Sequence, residues 1–365
     1  MSNLTKSTLV SGALAFMVLL ASQATGAQSA SDRRPRPTPT PTAKPTPTPK
    51  PTPTPKPGAV KVPHGIAMLL DSDQVISETL FTYAGIDVIR MRTSWDTIQK
   101  NESSYDWTAI DAARGYAAKN GRQLIISVVM CAGAPQFVYD AGAKAITLTS
   151  TDMATKMPLP WDPIMLAKET NFINAMAAHI DGDPAVTAIV MGGLGIVIEG
   201  YIGKTSQEIS QLNANGGLPA YVTGAKKLID VYAGAFKQTP FIYTAAKPYS
   251  ASGGQDEMNE IGDYGATTYS GRFGIMNAQL KATSTALKGS SNSLIEVYHA
   301  SNPTGFQCLT SVNGFGGHDL GGTLQQALQA AVNIGPPNWI EVYQTDAKDS
   351  KNVALFQSIE PQLTK

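Results

Sequence analysis

From Val60 onward the chain repeats one alternation: a short apolar run of strand character, then a longer stretch with helical spacing. The runs are Pro63–Leu70, Asp87–Ser94, Gln123–Met130, Val186–Gly192, Pro240–Ala246, Gly265–Tyr269, Ser293–Ala300 and Trp339–Gln344. Between them Ala109–Lys119 and Pro163–His179 are clearly amphipathic, and Val222–Phe236, Leu324–Asn333 and Asn352–Ile359 follow the same pattern. Strands that alternate with helices pair in parallel, each helix crossing back over the sheet. Eight such units over roughly 300 residues predict an α/β fold, a single-domain (β/α)8 TIM barrel. An open doubly wound sheet would need a phosphate-binding glycine fingerprint in its first unit. None is present there, and Gly192-Gly-Leu-Gly195 leads into Ile-Val-Ile instead of a helix.

The fourth run continues as Ala188-Ile-Val-Met-Gly-Gly-Leu-Gly-Ile-Val-Ile-Glu199-Gly-Tyr201. Its apolar part reads as a strand buried on both faces. Gly192, Gly193 and Gly195 then let the backbone bend. Glu199 is the one carboxylate of this stretch, and an acid beside a buried strand must be paired, solvated or used. It is expected at the mouth of the barrel.

Side chains alternate faces along a strand. In Asp87-Val-Ile-Arg90-Met-Arg92, Ile89 and Met91 are therefore assigned to the helices, and Arg90 and Arg92 to the barrel axis. The same alternation turns Glu296 and Tyr298 inward from the seventh run, and Glu341 and Tyr343 from the eighth. Carboxylates facing one another across a cavity are what glycoside hydrolysis requires, one as proton donor and one as nucleophile or base. A neighbouring arginine keeps the second ionised. Glu199 and Glu296 form the expected catalytic pair, with Glu341 as a competitor for the second place. The same arginines and glutamates also fit a buried structural ion-pair network.

The chain as a whole narrows the partners. Its formal net charge is zero and only 15% of residues are charged, so no basic surface recommends nucleic acid or an anionic membrane. No His-x-x-x-His or Cys-x-x-Cys spacing suggests a metal, no Gly-x-Ser-x-Gly elbow suggests a serine esterase, and no cofactor is expected. Cys131 and Cys308 are either two buried thiols or one bridge. Lys6, the apolar run Leu9–Ala21 and the small residues Ala24 and Ala27 have the layout of a secretory signal peptide over residues 1–27. Residues 28–58 are a Pro/Thr-rich linker, a semi-rigid polyproline spacer that cannot pack as helix or sheet. The barrel then occupies 59–365. These features predict a secreted, periplasmic or cell-surface protein without stable membrane insertion after cleavage.

Several phrases resemble a family. Ile89-Arg-Met-Arg-Thr-Ser-Trp95, then Tyr105-Asp-Trp107 and Ile110-Asp111, resemble the superfamily of retaining glycoside hydrolases with catalytic glutamates after strands 4 and 7 of a (β/α)8 barrel. Ala134–Asp140, Pro158–Pro163 and Ile180–Pro184 resemble its β-galactosidase-like branch, and the likeness covers most of Val62–Tyr201. It implies Glu199 as acid/base and Glu296 as nucleophile, with Arg90 orienting the nucleophile and Tyr269 hydrogen-bonded to it. Ile198 stands where that superfamily usually has asparagine. Trp95, Trp161, Tyr201, Tyr298 and Tyr343 are candidates for stacking on sugar rings, with Trp161, in its proline-rich loop, read first as a structural hinge. His64 and His179 read as structural, and His318 and Asp319 lie on a loop that could touch substrate. A carbohydrate is thus the expected substrate. A catalytically inactive carbohydrate-binding barrel displayed at the cell surface is the alternative.

Overall fold

The computed structural model describes residues 60–71, 74–149, 155–194, 205–249, 253–314 and 318–365. The expected signal peptide and linker, and also Gly195, Glu199 and Tyr201, lie outside the described residues. Strand β1 (Gly65–Leu69) leads to β2 (Val88–Ser94), the one-turn helix α1 (Trp95–Ile98) and α2 (Thr108–Lys119). Then come β3 (Gln123–Val129), α3 (Gln136–Asp140), a small antiparallel pair β4 (Ala145–Thr147) and β5 (Lys156–Pro158), and α4 (Pro163–Ile180). The second half runs β6 (Val186–Val190), α5 (Ser206–Ala214), α6 (Gly217–Ala235), β7 (Phe241–Thr244), α7 (Gln255–Thr268), β8 (Phe273–Leu280) and α8 (Ser291–Tyr298). It ends with β9 (Thr304–Cys308), α9 (Leu324–Ile334), β10 (Trp339–Tyr343), α10 (Gln344–Lys348) and α11 (Val353–Ile359). All strands but β4 and β5 close into one parallel barrel, in the order β1-β2-β3-β6-β7-β8-β9-β10 and back to β1.

The helices start where the sequence supplies caps. Asp162 accepts hydrogen bonds from the amides of Ile164 and Met165, with Pro163 at the first helical position of α4. Thr205 with Glu208, and Thr323 with Gln326, form reciprocal capping boxes that open α5 and α9. The sheet separates two apolar compartments. Ile89, Met91, Ile340 and Val342 point outward into the large core beneath the helices. Ala67, Val88, Ile125, Ala188, Val190, Ile242, Met276 and Trp339 fill the barrel interior as a second cluster.

Trp339 fixes part of the cross-section. Its indole lies over Gly305 of β9, where a Cβ would overlap the ring. The tryptophan is fully buried, so it has no room to retreat. Gly305→Ala is therefore expected to destabilise the protein by about 1–3 kcal/mol, read as a lowered urea midpoint with an unchanged slope.

Eight barrel strands are present, but two of the expected strands are helical. Gly265–Thr268 is the last turn of α7, and Ser293–Tyr298 belongs to α8. The apolar run Leu294-Ile-Glu-Val-Tyr imitates a strand. Yet Leu294 and Ile295 are buried together while Glu296 and Val297 are exposed, which is helical spacing, and the Ser290 hydroxyl caps the helix at the Ser293 amide. The true sixth and seventh barrel strands are β8 and β9. Each carries an interior glycine, Gly274 in β8 and Gly305 in β9, and a polar amide, Asn277 turned out toward Asn292 of α8 and Gln307 turned inward to Arg90, which break the apolar pattern. Gly265 and Gly305 instead mark close approaches, to the Phe273 and Trp339 rings.

Both cysteines are free and buried, Cys131 just after β3 and Cys308 at the end of β9. Burial pushes both thiols up from their ordinary range. No helix among the described residues is long and apolar enough to cross a membrane.

Candidate functional site

The barrel axis is apolar at one level and charged at the next. Two residues along β10 separate Trp339, in the apolar cluster, from Glu341. Arg90 from β2 and Glu341 from β10 meet there as a salt bridge of 2.7 Å, both side chains at 0% exposure. Arg90 Nε donates to Ser127 Oγ of β3 at 2.8 Å. Its Nη1 also reaches Gln307 Oε1 of β9 at 3.1 Å and Met276 Sδ of β8 at 3.5 Å. The other carboxylate oxygen of Glu341 accepts from Trp339 Nε1 at 3.1 Å. Five strands thus converge on one guanidinium. A buried charge pair persists only when its remaining donors and acceptors are met in this way.

Toward the carboxy-terminal ends of the strands the axis opens onto a polar rim. Arg92 donates through Nε and Nη2 to the Leu70 carbonyl at 3.3 and 3.1 Å, which joins β2 to the end of β1. Tyr343 is half-buried and donates to the Leu309 carbonyl at 3.2 Å, and burial raises its phenol above the ordinary value. Gln344 donates to Gln74 at 3.0 Å and accepts from the Asp71 amide. Asp346 accepts from the Val312 amide, and desolvation raises its carboxyl. The loops after β1, β9 and β10 are thereby cross-linked around the mouth. In this fold active sites are built at that end, on the loops that follow the strands.

Several expected site residues sit where expected. Arg90, Arg92, Glu341 and Tyr343 all come from strand positions whose alternation turns them inward, and Arg90 and Glu341 are in contact. Others lie elsewhere. Glu296 is exposed on α8, outside the barrel, so it cannot face Arg90 or Glu341 across the axis. Tyr298, on the same helix, donates to Asp263 at 2.8 Å. Tyr269 follows α7 and donates to Asp230 at 2.7 Å, so its hydroxyl serves the outer helix layer and no nucleophile. Trp95 is wholly buried, donates to Gln99 at 2.8 Å and packs on Phe137 and Phe172, so it offers no face to a sugar. Glu296, Tyr298 and Tyr269 lie on or beside outer helices, and Trp95 turns into the outer core where α1 begins. Trp161 is structural, its indole donating to the Asn215 carbonyl at 2.8 Å. His318 and Asp319 are exposed.

Three residues escaped the sequence reading. Ser127 and Gln307 hold Arg90, and only their inward register would have singled them out. Glu169 is the third. It lies on α4 at 0% exposure, and neither carboxylate oxygen has a hydrogen-bond partner among the described residues. A Cβ on Gly193 would stand 2.9 Å from Glu169 Oε1, so the bend after β6 passes directly over this acid. Desolvation pushes its carboxyl up to about 8. Among the described residues no group of three or more histidine, cysteine or acidic side chains could hold a metal ion.

No protein-family model matches the chain, and no curated protein matches it. Solved structures do resemble it. A β-glucanase from Saccharophagus degradans aligns at 12% identity with a TM-score of 0.50, over 82% of this chain and 88% of that one. A structure described only as a glycoside hydrolase aligns at 8% identity and 0.48, over 77% and 88%. Endo-glycoceramidase II from Rhodococcus sp. aligns at 11% identity and 0.44, over 78% and 72%. At 12% identity the likeness to the β-glucanase is one of fold alone.

Proposed function

We propose that the chain is an exported glycoside hydrolase that acts on a β-linked glycan or oligosaccharide with two carboxyl groups. One observation carries this reading: the enclosed Arg90–Glu341 pair, braced by Ser127 and Gln307 on the barrel axis, beneath the end where this fold builds its sites. Glu199, in the segment after β6, is the proton donor. With Glu296 on an outer helix, Glu341 is the carboxylate on the axis among the described residues that could act opposite it, and Arg90 orients it. The shared fold with a β-glucanase supports a β-linked substrate. The leader-like first residues support a secreted, periplasmic or cell-surface location.

A screen of the full chain against chromogenic β-glycosides and β-linked oligosaccharides tests this. Removing a general acid costs about 10²–10⁴-fold in rate. Glu199→Gln is expected to lose turnover by that factor while its unfolding midpoint stays at the wild-type value. Equal turnover in variant and wild type would remove Glu199 from the mechanism.

A second reading is favoured by one residue. The resemblance asks for a glutamate after the seventh barrel strand, held by the strand 2 arginine. At the end of β9 the side chain that Arg90 holds is Gln307, and an amide neither attacks a sugar nor activates water. On this reading the barrel binds saccharide without cleaving it. Saccharide affinity with no product after prolonged incubation would decide for it.

A further inference from the structure

We propose that a cleft beside the carboxy-terminal end of β2 is a saccharide-binding site continuous with the barrel mouth through Arg92. The cleft measures about 660 Å³, within the roughly 300–1,000 Å³ of small-molecule sites. Its lining belongs to the ends of β2 and β3, the helix α1, the first turns of α2 and the segment 74–76.

The residue types select the ligand. Val75 is exposed and Ile76 half-buried, and they give the cleft an apolar wall over the buried Met91, Ile98 and Ile110. The lip is polar, with Ser94, Asp96, Thr97, Asp106 and Thr108. Asp96 accepts from the Ser94 hydroxyl, and Asp106 accepts from the Thr108 amide at 3.0 Å. Each carboxylate keeps lone pairs for a ligand, since an ionised carboxyl offers about four acceptor sites. Hydrogen bonds from Thr108 hold Asp106 below its ordinary value, so it stays an acceptor. Among the described residues Arg92 is the one cation of the lining, and its guanidinium already donates to Leu70. A phosphate or carboxylate ligand would face two negative groups against one committed cation. An apolar ligand would leave the polar lip unmet. A neutral polyhydroxylated ring meets both, with hydroxyls that donate to Asp96 and Asp106 and a C–H face that lies against Val75 and Ile76.

Continuity follows from Arg92. It projects toward the axis by strand alternation and also lines the cleft. A saccharide seated at the mouth can therefore run outward over β2, so the cleft adds affinity for longer chains. The inference rests on the glycan reading for the occupant of the mouth, and it deepens that reading by adding a second place along the same ligand.

Titration calorimetry of the full chain with β-linked oligosaccharides of increasing length tests it. Wild type is expected to bind longer members at least ten-fold more tightly than the shortest. Ala109 is an exposed residue of the lining, so Ala109→Trp fills the cleft without disturbing the core. It is expected to abolish the gain with length and leave the shortest member's affinity unchanged. Asp96→Asn with Asp106→Asn keeps both local turns and is expected to weaken only the longer members, by about ten-fold. If both variants bind every length as the wild type does, the cleft is not a saccharide site and the mouth acts alone. If the wild type binds none of the series, the glycan reading itself fails, and the cleft proposal falls with it.

Discussion

Glu341→Ala is expected to destabilise the protein by about 3–5 kcal/mol, the range for breaking a buried ion pair by removing one partner. The loss comes from what remains. Arg90 has no exposure and cannot reach water. Among the described residues Ser127, Gln307 and a methionine sulfur would remain beside its positive charge, and all three are neutral. Trp339 Nε1 would also lose its acceptor in the same enclosed space. Arg90→Met combined with Glu341→Leu removes both charges and fills similar volume, so the double variant is expected within about 2 kcal/mol of wild type. Urea unfolding of the single and double variants reads both values. A Glu341→Ala loss below about 1 kcal/mol would show that water enters the axis and solvates the arginine.

The second large effect is a pH dependence from Glu169. Its folded carboxyl is pushed up to about 8 from an ordinary 4.5 by burial alone. The folded state keeps the proton over a range in which the unfolded chain has released it. Stability from this group is thus fully present below about 4.5, falls as pH rises, and is gone above about 8. The slope approaches about 1.4 kcal/mol per pH unit, which amounts to roughly 2–3 kcal/mol between pH 5 and 7. The groups that face Glu169 do not offset it, since the Cys131 thiol and the Tyr232 phenol are both raised by burial and stay neutral there. Glu169→Gln carries no such titration. Relative to the wild type it is expected to gain roughly 2–3 kcal/mol from pH 5 to pH 7, measured as the difference in unfolding free energy at each pH. Parallel curves for the two proteins would mean that Glu169 is ionised and partnered when folded.

The alternation of runs and helical stretches made the barrel legible, and the period of two in β2 and β10 placed Arg90, Arg92, Glu341 and Tyr343 on the correct face. Those strands carry clean inside–outside patterns, so local sequence and tertiary burial agree. The reading failed at β8 and β9, where Gly274 and Gly305 exist to admit a neighbouring strand's side chain and not to continue an apolar run. A strand chosen for how it receives its neighbour has little signature of its own. Leu294–Tyr298, rich in strand-forming residues, took its place and carried Glu296 and Tyr298 wrongly into the axis. Trp95 failed differently. The chain turns into α1 at that residue, and one helical turn is enough to point the indole into the outer core. Glu169 was illegible because helical spacing marks which face is buried and not whether a polar group on that face finds a partner.

Gln307 gives the axis an evolutionary consequence. Glutamine and glutamate codons differ by a single base, and their side chains differ by one terminal group. At this site that change would set a second acid against the guanidinium that already serves Glu341. A second acid on this axis therefore stands one nucleotide away, at a position whose side chain already touches the guanidinium.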